Sequence, residues 1–334
     1  MPTASRHPLR AAVLDLGSNS VKFMLGQQDG ARLTVHREEA ITTRLGHQLA
    51  LTGEICRAAR HATLRVLRHC QRAAAAYGAQ KIIAVGTSAL RSATNRDELL
   101  APAREILGAP VRVVSGKLEG ELVYAGATSY HRWRQRDILV IDIGGGSVEF
   151  VTGSAGRLTR AGSLPLGCVR VRDALLRGRQ PVPRELWAAT VSELAEQMRV
   201  GFKKFTAGGA VVLGSGGTCA TLTALHRADH PRVPVHELEG LAIRRAEALT
   251  LLEFLASRTL AQLRAHPRIP SRRAEIITAG ACVLLAAMRA LGANTVHCTT
   301  RGLRYGVWQR MLAPTPFKTV RHEICHHAPG ERAE

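Results

Sequence analysis

Leu139-Val140-Ile141-Asp142-Ile143-Gly144-Gly145-Gly146-Ser147-Val148-Glu149-Phe150 is the stretch on which the rest of the chain is organised. An apolar run carries an aspartate to its end, turns through three glycines and leaves as a second β-favouring run. The pattern predicts strand, loop and strand. Glycines 144, 145 and 146 let backbone N–H groups approach a ligand without obstruction by Cβ atoms, and a nest of such donors suits phosphate oxygens. At the strand end, Asp142 is placed to reach a hydrated divalent cation bridging those oxygens. Alternation along the outgoing strand puts Val148 and Phe150 on one face and Glu149 on the other, toward whatever the loop holds.

One such stretch is explained by a hairpin turn alone. A second copy argues for more. Ala12-Val13-Leu14-Asp15-Leu16-Gly17-Ser18-Asn19-Ser20-Val21-Lys22-Phe23 repeats the template 127 residues earlier, with Ser18 and Asn19 in place of two glycines and Lys22 where Glu149 stands. Two half-sites of opposite charge predict an α/β protein of two similar domains facing one phosphate-containing ligand.

The 334 residues suffice for two domains and a large core. The longest uncharged apolar stretch, Ile276 to Met288, is shorter than the roughly 20 residues a spanning helix needs, so it reads as a buried helix. The N-terminus lacks the apolar core of a signal peptide. Seven cysteines, odd in number and without a CxxC pair, argue against a disulfide framework and a thiolate zinc site, and a cytoplasmic location is expected. A formal charge of +20 favours polyanions as partners. Aromatic residues at 4% are too few for a base-stacking platform, so a phosphate polymer or a highly phosphorylated nucleotide is expected rather than a specific nucleic-acid site.

Along the chain, three strands are predicted over residues 11–39, with Gln28-Asp29-Gly30 as a hairpin turn, then a helix from Gly53 to Ala76. Lys81 to Val85 reads as a strand ending at Gly86-Thr87-Ser88. Val111 to Val114 is a strand that runs through Ser115-Gly116 into a helix carrying Glu119. The polar segment 130–137 is a crossover between halves. Strands around residues 139–153 and Leu158, a helix from Leu186 to Lys203, and the strand Ala210 to Leu213 follow. That strand enters Gly214-Ser215-Gly216-Gly217-Thr218, a third glycine turn opening a helix. Ala242 to Leu263 and Arg272 to Leu291 are read as helices, Val296 to Cys298 as a strand and residues 314–334 as a loose tail.

These motifs resemble the exopolyphosphatase and guanosine pentaphosphate phosphohydrolase (Ppx/GppA) family. The resemblance is carried by Asp15-Leu16-Gly17-Ser18-Asn19-Ser20, the segment from Thr87 to Asn95, Ser115-Gly116 with Glu119, and Asp142-Ile143-Gly144-Gly145-Gly146-Ser147 with Glu149. Gly214 to Thr218, Leu166-Gly167, Arg273 with Gly280-Ala281, and Gly302-Leu303-Arg304 extend it over roughly residues 11–310. It implies an actin-like (ribonuclease H-like) fold with the site between two domains, here residues 1–128 plus about 300–313 and residues 129–299. It also implies a short form without the helical HD-type domain.

Hydrolysis of a phosphoanhydride needs an in-line water, charge neutralisation and a group that takes the water's proton. The resemblance places Glu119 as general base and Arg91 as a phosphate-binding arginine, whose planar fork suits bidentate contact. Asp142, Glu149 and Asp15 are the expected carboxylates for Mg2+ or another divalent cation. Phosphate contacts are assigned to Ser18, Asn19, Ser20, Lys22, Gly144, Gly145, Gly146, Ser147, Gly214, Ser215, Gly216, Gly217 and Thr218. Lys22 departs from the usual arginine, keeping the charge and losing the fork; Leu118 and Gly120 replace a common acidic residue and alanine. Arg157, Arg160, Arg170, Arg172, Arg177 and Arg179 read mainly as a solvated face.

The expected activity is release of orthophosphate from inorganic polyphosphate. The alternatives are hydrolysis of guanosine pentaphosphate (pppGpp), turnover of ATP by an actin-like ATPase or kinase, and noncatalytic binding of polyphosphate or guanosine tetraphosphate. A homodimer is compatible with the sequence, and no membrane partner is expected. His322-Glu323-Ile324-Cys325-His326 matches HExxH, but its terminal setting lacks the packed helix and third ligand of a zinc protease.

Overall fold

The computed structural model describes residues 8–133, 135–227, 234–312 and 319–322. Its strands are β1 (Leu9–Leu16), β2 (Ser20–Asp29), β3 (Arg32–Thr42), β4 (Lys81–Gly86), β5 (Val111–Val113) and β6 (Ile138–Ile143). Then come β7 (Val148–Ser154), β8 (Arg157–Leu164), β9 (Val211–Ser215), β10 (Ala242–Arg244), β11 (Thr295–Cys298) and β12 (Thr319–His322).

They form two six-stranded sheets, ordered β12-β3-β2-β1-β4-β5 and β10-β11-β9-β6-β7-β8. Read from β8, the second sheet repeats the first from β3 to β5, with β10 and β12 as unmatched edge strands. Each half starts with an antiparallel meander and adds two parallel strands beside its first strand. Parallel additions require crossovers, supplied by helices such as Arg57–Tyr77 before β4. The repeat extends to register: Asp15 pairs with Lys22 and Asp142 with Glu149.

Because both faces of the central strands are covered, their alternating side chains enter different cores. Val13 and Val140 enter one shared cluster with Val123, Tyr305 and Trp308, while Leu14 and Ile141 enter separate clusters of the first and second half. The shared core is tied by two helices, Gly116–Ala127 and Leu303–Val307. A Cβ at Gly306 would lie 1.7 Å from the Leu122 carbonyl oxygen, so this crossing tolerates no side chain there.

Four element predictions need correction. The first long helix starts at Arg57, because Gly53 (φ 73°) ends a short helix over Leu49–Thr52 and Cys56 is extended. Ala242 to Leu263 is a strand and two helices. β10 is drawn out by pairing with β11, the Arg244 amide donates to Glu247 at 2.7 Å to open the helix Arg245–Ala256, and Thr259 with Gln262 caps Leu260–Ala265. The helix expected from Arg272 starts at Ile277, after a 3-10 turn over Ser271–Arg273. Within the expected loose tail, β12 pairs in parallel with β3. Residues 323–326, the rest of the HExxH match, lie outside the described residues. The six described cysteines are free thiols, and no helix among the described residues is long and apolar enough to cross a membrane.

Candidate active site

The repeated hairpins meet at the ends of β1 and β6. In both, the first glycine closes the turn: the Gly17 amide donates to the Ser20 carbonyl at 3.1 Å and the Gly144 amide to the Ser147 carbonyl at 3.0 Å. The residues between are left with free N–H groups. Among the described residues, the amides of Ser18, Asn19, Gly145 and Gly146 have no protein acceptor. The two turns also touch, since a Cβ on Gly146 would fall 2.5 Å from Ser18 Oγ and 2.6 Å from Ser88 Oγ. Glycine there is a steric demand of the contact.

An open cavity lies between the turns. Asp15, Ser18, Asn19, Ser20, Lys22, Glu119, Asp142, Gly144, Gly145, Gly146, Ser147 and Gly217, all singled out in the sequence, line it together. The third glycine segment contributes less to the wall. Gly214 and Ser215 belong to β9, with Ser215 hydrogen-bonded to Asp142; Gly216 (φ +92°) turns against Ile143, and Thr218 packs under Gly280.

Two carboxylates face the cavity from the strand ends. Lys22 Nζ lies 3.2 Å from Asp15 Oδ2, whereas Asp15 Oδ1 is buried without a hydrogen-bond partner. Burial raises the Asp142 pKa, with Asp15 adding to the shift and Lys22 and Ser215 opposing it. An orphaned carboxylate oxygen beside a second aspartate fits a magnesium ion that takes one or two carboxylates and completes its shell with water and phosphate oxygens. Among the described residues no group of three or more His, Cys, Asp or Glu forms a cage made of protein alone.

Glu119 sits in the first turn of the helix Gly116–Ala127, whose start is capped by Ser115 Oγ accepting from the Leu118 amide at 3.2 Å. The side chain is buried and ion-paired with Arg91, which also donates to the Val114 carbonyl at 3.0 Å. Burial pushes its pKa up to about 7, against the lowering influence of Arg91, while the Asp15 and Asp142 charges add to the rise. Arg91 thus stands one layer behind the cavity wall, holding Glu119.

Glu149 requires a correction. Alternation puts it on the Asp142 side, but it is fully buried and does not line the cavity. Ser163 on β8 donates to its Oε1 at 2.7 Å, and burial together with the charges of Glu119 and Asp142 raises its pKa well above the ordinary glutamate value. The reason is the helix seated over it. A Cβ on Gly116 would lie 2.6 Å from Ser163 Cβ, and one on Gly120 would lie 3.0 Å from Val151 Cγ2. These glycines bring the helix down onto β7 and β8, with Gly120 in close contact with Val151 and Ala161.

Sequence reasoning assigned no site role to several lining residues: Gly17, Thr87, Ser88, Cys168, Arg273, Ile276 and Leu303. Ser88 was within reach of the logic used for the hairpins, because β4 also ends in a glycine turn beside β1. Arg273 was not. It reaches the wall because Gly217 has no side chain; a Cβ there would lie 1.4 Å from Arg273 Nη2.

Paired sheets of one topology, each delivering an aspartate and a turn of free amides to a common cavity, define an actin-like (ribonuclease H-like) α/β fold with a cleft between the two turns. The model of the Ppx/GppA phosphatase family matches residues 25–314, and the chain belongs to that family. It is 29% identical over 290 residues to "Exopolyphosphatase 2" of Mycobacterium tuberculosis, covering 82% of this chain and 88% of that protein. An uncharacterised protein of Streptomyces coelicolor is 29% identical over 313 residues, 92% of either chain. Among solved structures, an Aquifex aeolicus member of the Ppx/GppA family aligns with a TM-score of 0.74 at 25% identity, over 90% of this chain and 96% of that one. An exopolyphosphatase-like protein aligns with a TM-score of 0.82 at 25% identity, over 90% and 97%.

Proposed function

We propose that the protein hydrolyses the terminal phosphoanhydride bond of inorganic polyphosphate, releasing orthophosphate. The observation that carries this reading is the placement of Glu119, a buried carboxylate with a pKa of about 7, at the wall of a cavity bounded by two turns of free amides. The polymer as substrate is supported by the charge of +20 and by the likeness to the mycobacterial exopolyphosphatase.

In this reading the amides of Ser18, Asn19, Gly145 and Gly146 hold the terminal phosphate oxygens, with Lys22 and Arg273 adding positive charge. Glu119 accepts a proton from the attacking water as its oxygen bonds to the terminal phosphorus and the bridging P–O bond breaks, leaving the electron pair on the shortened chain. Arg91 fixes the Glu119 carboxylate and keeps its pKa from rising further. Burial beneath Glu119 favours the neutral form of Glu149, which lessens the negative charge facing the anionic substrate. A bound magnesium ion would be held by Asp15 and Asp142 and would neutralise charge on the phosphate oxygens.

The test is magnesium-supported phosphate release from long-chain polyphosphate, guanosine pentaphosphate and ATP, for the wild type and Glu119→Gln side by side. Release mainly from polyphosphate, lost in the variant, is expected. Preference for guanosine pentaphosphate or ATP would overturn the substrate assignment, and undiminished release by Glu119→Gln would overturn the role of Glu119.

A further inference from the structure

The helix Arg57–Tyr77 carries five arginines and two histidines and no aspartate or glutamate. Its inner face is ordinary, with Ala59, Thr63, Leu67, Cys70 and Ala74 buried. Arg60 is ion-paired with Glu98, and His69 with Glu39. The remaining basic residues, Arg57, His61, Arg65, Arg68 and Arg72, are exposed and have no hydrogen-bond or ion-pair partner among the described residues. Their spacings of four, four, three and four place them on one face as a single line about 22 Å long. Two other long helices carry more acid than base: Arg184–Gly201 bears two arginines and three glutamates, and Arg245–Ala256 one arginine and two glutamates.

The line starts at the cleft end of the first sheet. The segment before it clamps the first phosphate turn, with the Gly46 amide donating to the Ser18 carbonyl at 2.7 Å, and is fastened beside the helix Ser88–Ser92 by the Thr94 amide on the Gly53 carbonyl. The helix then runs back to Lys81, which pairs with Ala11 far from the turns.

We propose that this stripe is an anchoring track for the distal part of a linear polyphosphate chain whose terminal phosphate is in the cleft, an inference that rests on the substrate proposed above. Like charges at helical spacing repel one another, and a polyanion laid along them relieves that repulsion while releasing its counterions. A single file of guanidinium groups matches a flexible single-stranded anion. Nucleic acid is the poorer match, because the face offers no aromatic side chain for base stacking.

The experiment compares wild type, Arg65→Glu/Arg68→Glu/Arg72→Glu and the charge-preserving Arg65→Lys/Arg68→Lys/Arg72→Lys. Hydrolysis is followed on tripolyphosphate and long-chain polyphosphate, and binding by fluorescence anisotropy with labelled long-chain polyphosphate and labelled single-stranded RNA. The reversed triple should raise KM and Kd for the long chain by at least about tenfold and flatten their salt dependence. Kinetics on tripolyphosphate should stay unchanged, and the lysine triple should behave as wild type. Weakened long-chain binding would support the track even if no variant hydrolysed polyphosphate, a result that would sink the activity alone. Unchanged long-chain binding, an equal loss on tripolyphosphate, or a loss confined to RNA would overturn it.

Discussion

The two hairpins share strand order, register and turn hydrogen bond, yet their second strands carry opposite chemistry. Lys22 lines the cavity and pairs with Asp15, whereas Glu149, at the same register opposite Asp142, is fully buried beneath Glu119. The backbone repeat supplies amides twice; the side chains divide the labour. The first half presents positive charge to the cavity at Lys22, and in the second half β7 and β8 form the seat for the helix Gly116–Ala127, which carries Glu119. A symmetric pair of lysines would leave no such support, and a symmetric pair of carboxylates would repel a phosphate chain.

The division breaks first at Glu119. Glu119→Gln keeps the shape and removes the proposed base, so on the proposed function phosphate release should fall by about 10² to 10⁴ while long-chain polyphosphate still binds. A fall below threefold in single-turnover assays would show that the proton goes elsewhere. The next largest effect concerns the buried partner. Glu149→Ala strands the Ser163 hydroxyl and opens a cavity, and should cost about 2 to 4 kcal/mol in urea unfolding. Glu149→Gln, which mimics the neutral acid, should stay within about 1 kcal/mol of wild type at pH 7. Equal losses in the two variants would mean that Glu149 is ionised and that the halves are less different than their burial indicates.

How far the site was readable follows from which contacts are local. The aspartates, the glycine turns and the register came from a few consecutive residues, so the repeat exposed them. Glu149's burial did not, because it depends on Ser163 on another strand and on the missing side chains of Gly116 and Gly120. Arg273 reaches the cavity wall across a gap left by Gly217, 56 residues earlier in the chain. The fold shows the same limit. The three residues of β10 become a strand only by pairing with β11 more than fifty residues away, and β12 only by reaching the open edge of β3.

A third prediction concerns Arg91. Glu119 must be deprotonated to accept a proton, so kcat/KM should rise with pH through about 7. Arg91 opposes the rise in pKa, so Arg91→Met should move that limb to higher pH by about one unit. The sign for stability is opposite. With Glu119 raised from its ordinary 4.5 to about 7, the folded state holds the proton more tightly than the unfolded chain. Its stabilising contribution is complete below pH 4.5 and is lost as pH rises through 7. Arg91→Met should extend that loss to higher pH, readable as Tm against pH; a limb that stays in place or shifts to lower pH would remove Arg91 from the control of Glu119.

The smallest effect sharpens the comparison at Lys22. Its ammonium is a point charge shared between Asp15 and the cavity, and a guanidinium would keep the pair while offering a planar fork to phosphate oxygens. Lys22→Arg should therefore lower KM for tripolyphosphate by about threefold to tenfold with kcat little changed, a gain of about 1 kcal/mol in binding. The Glu119-dependent pH limb should not move, because the substitution preserves charge on the half of the site that binds. A change in kcat or in the limb without a change in KM would place Lys22 with the proton-accepting machinery and erase the division between the two hairpins.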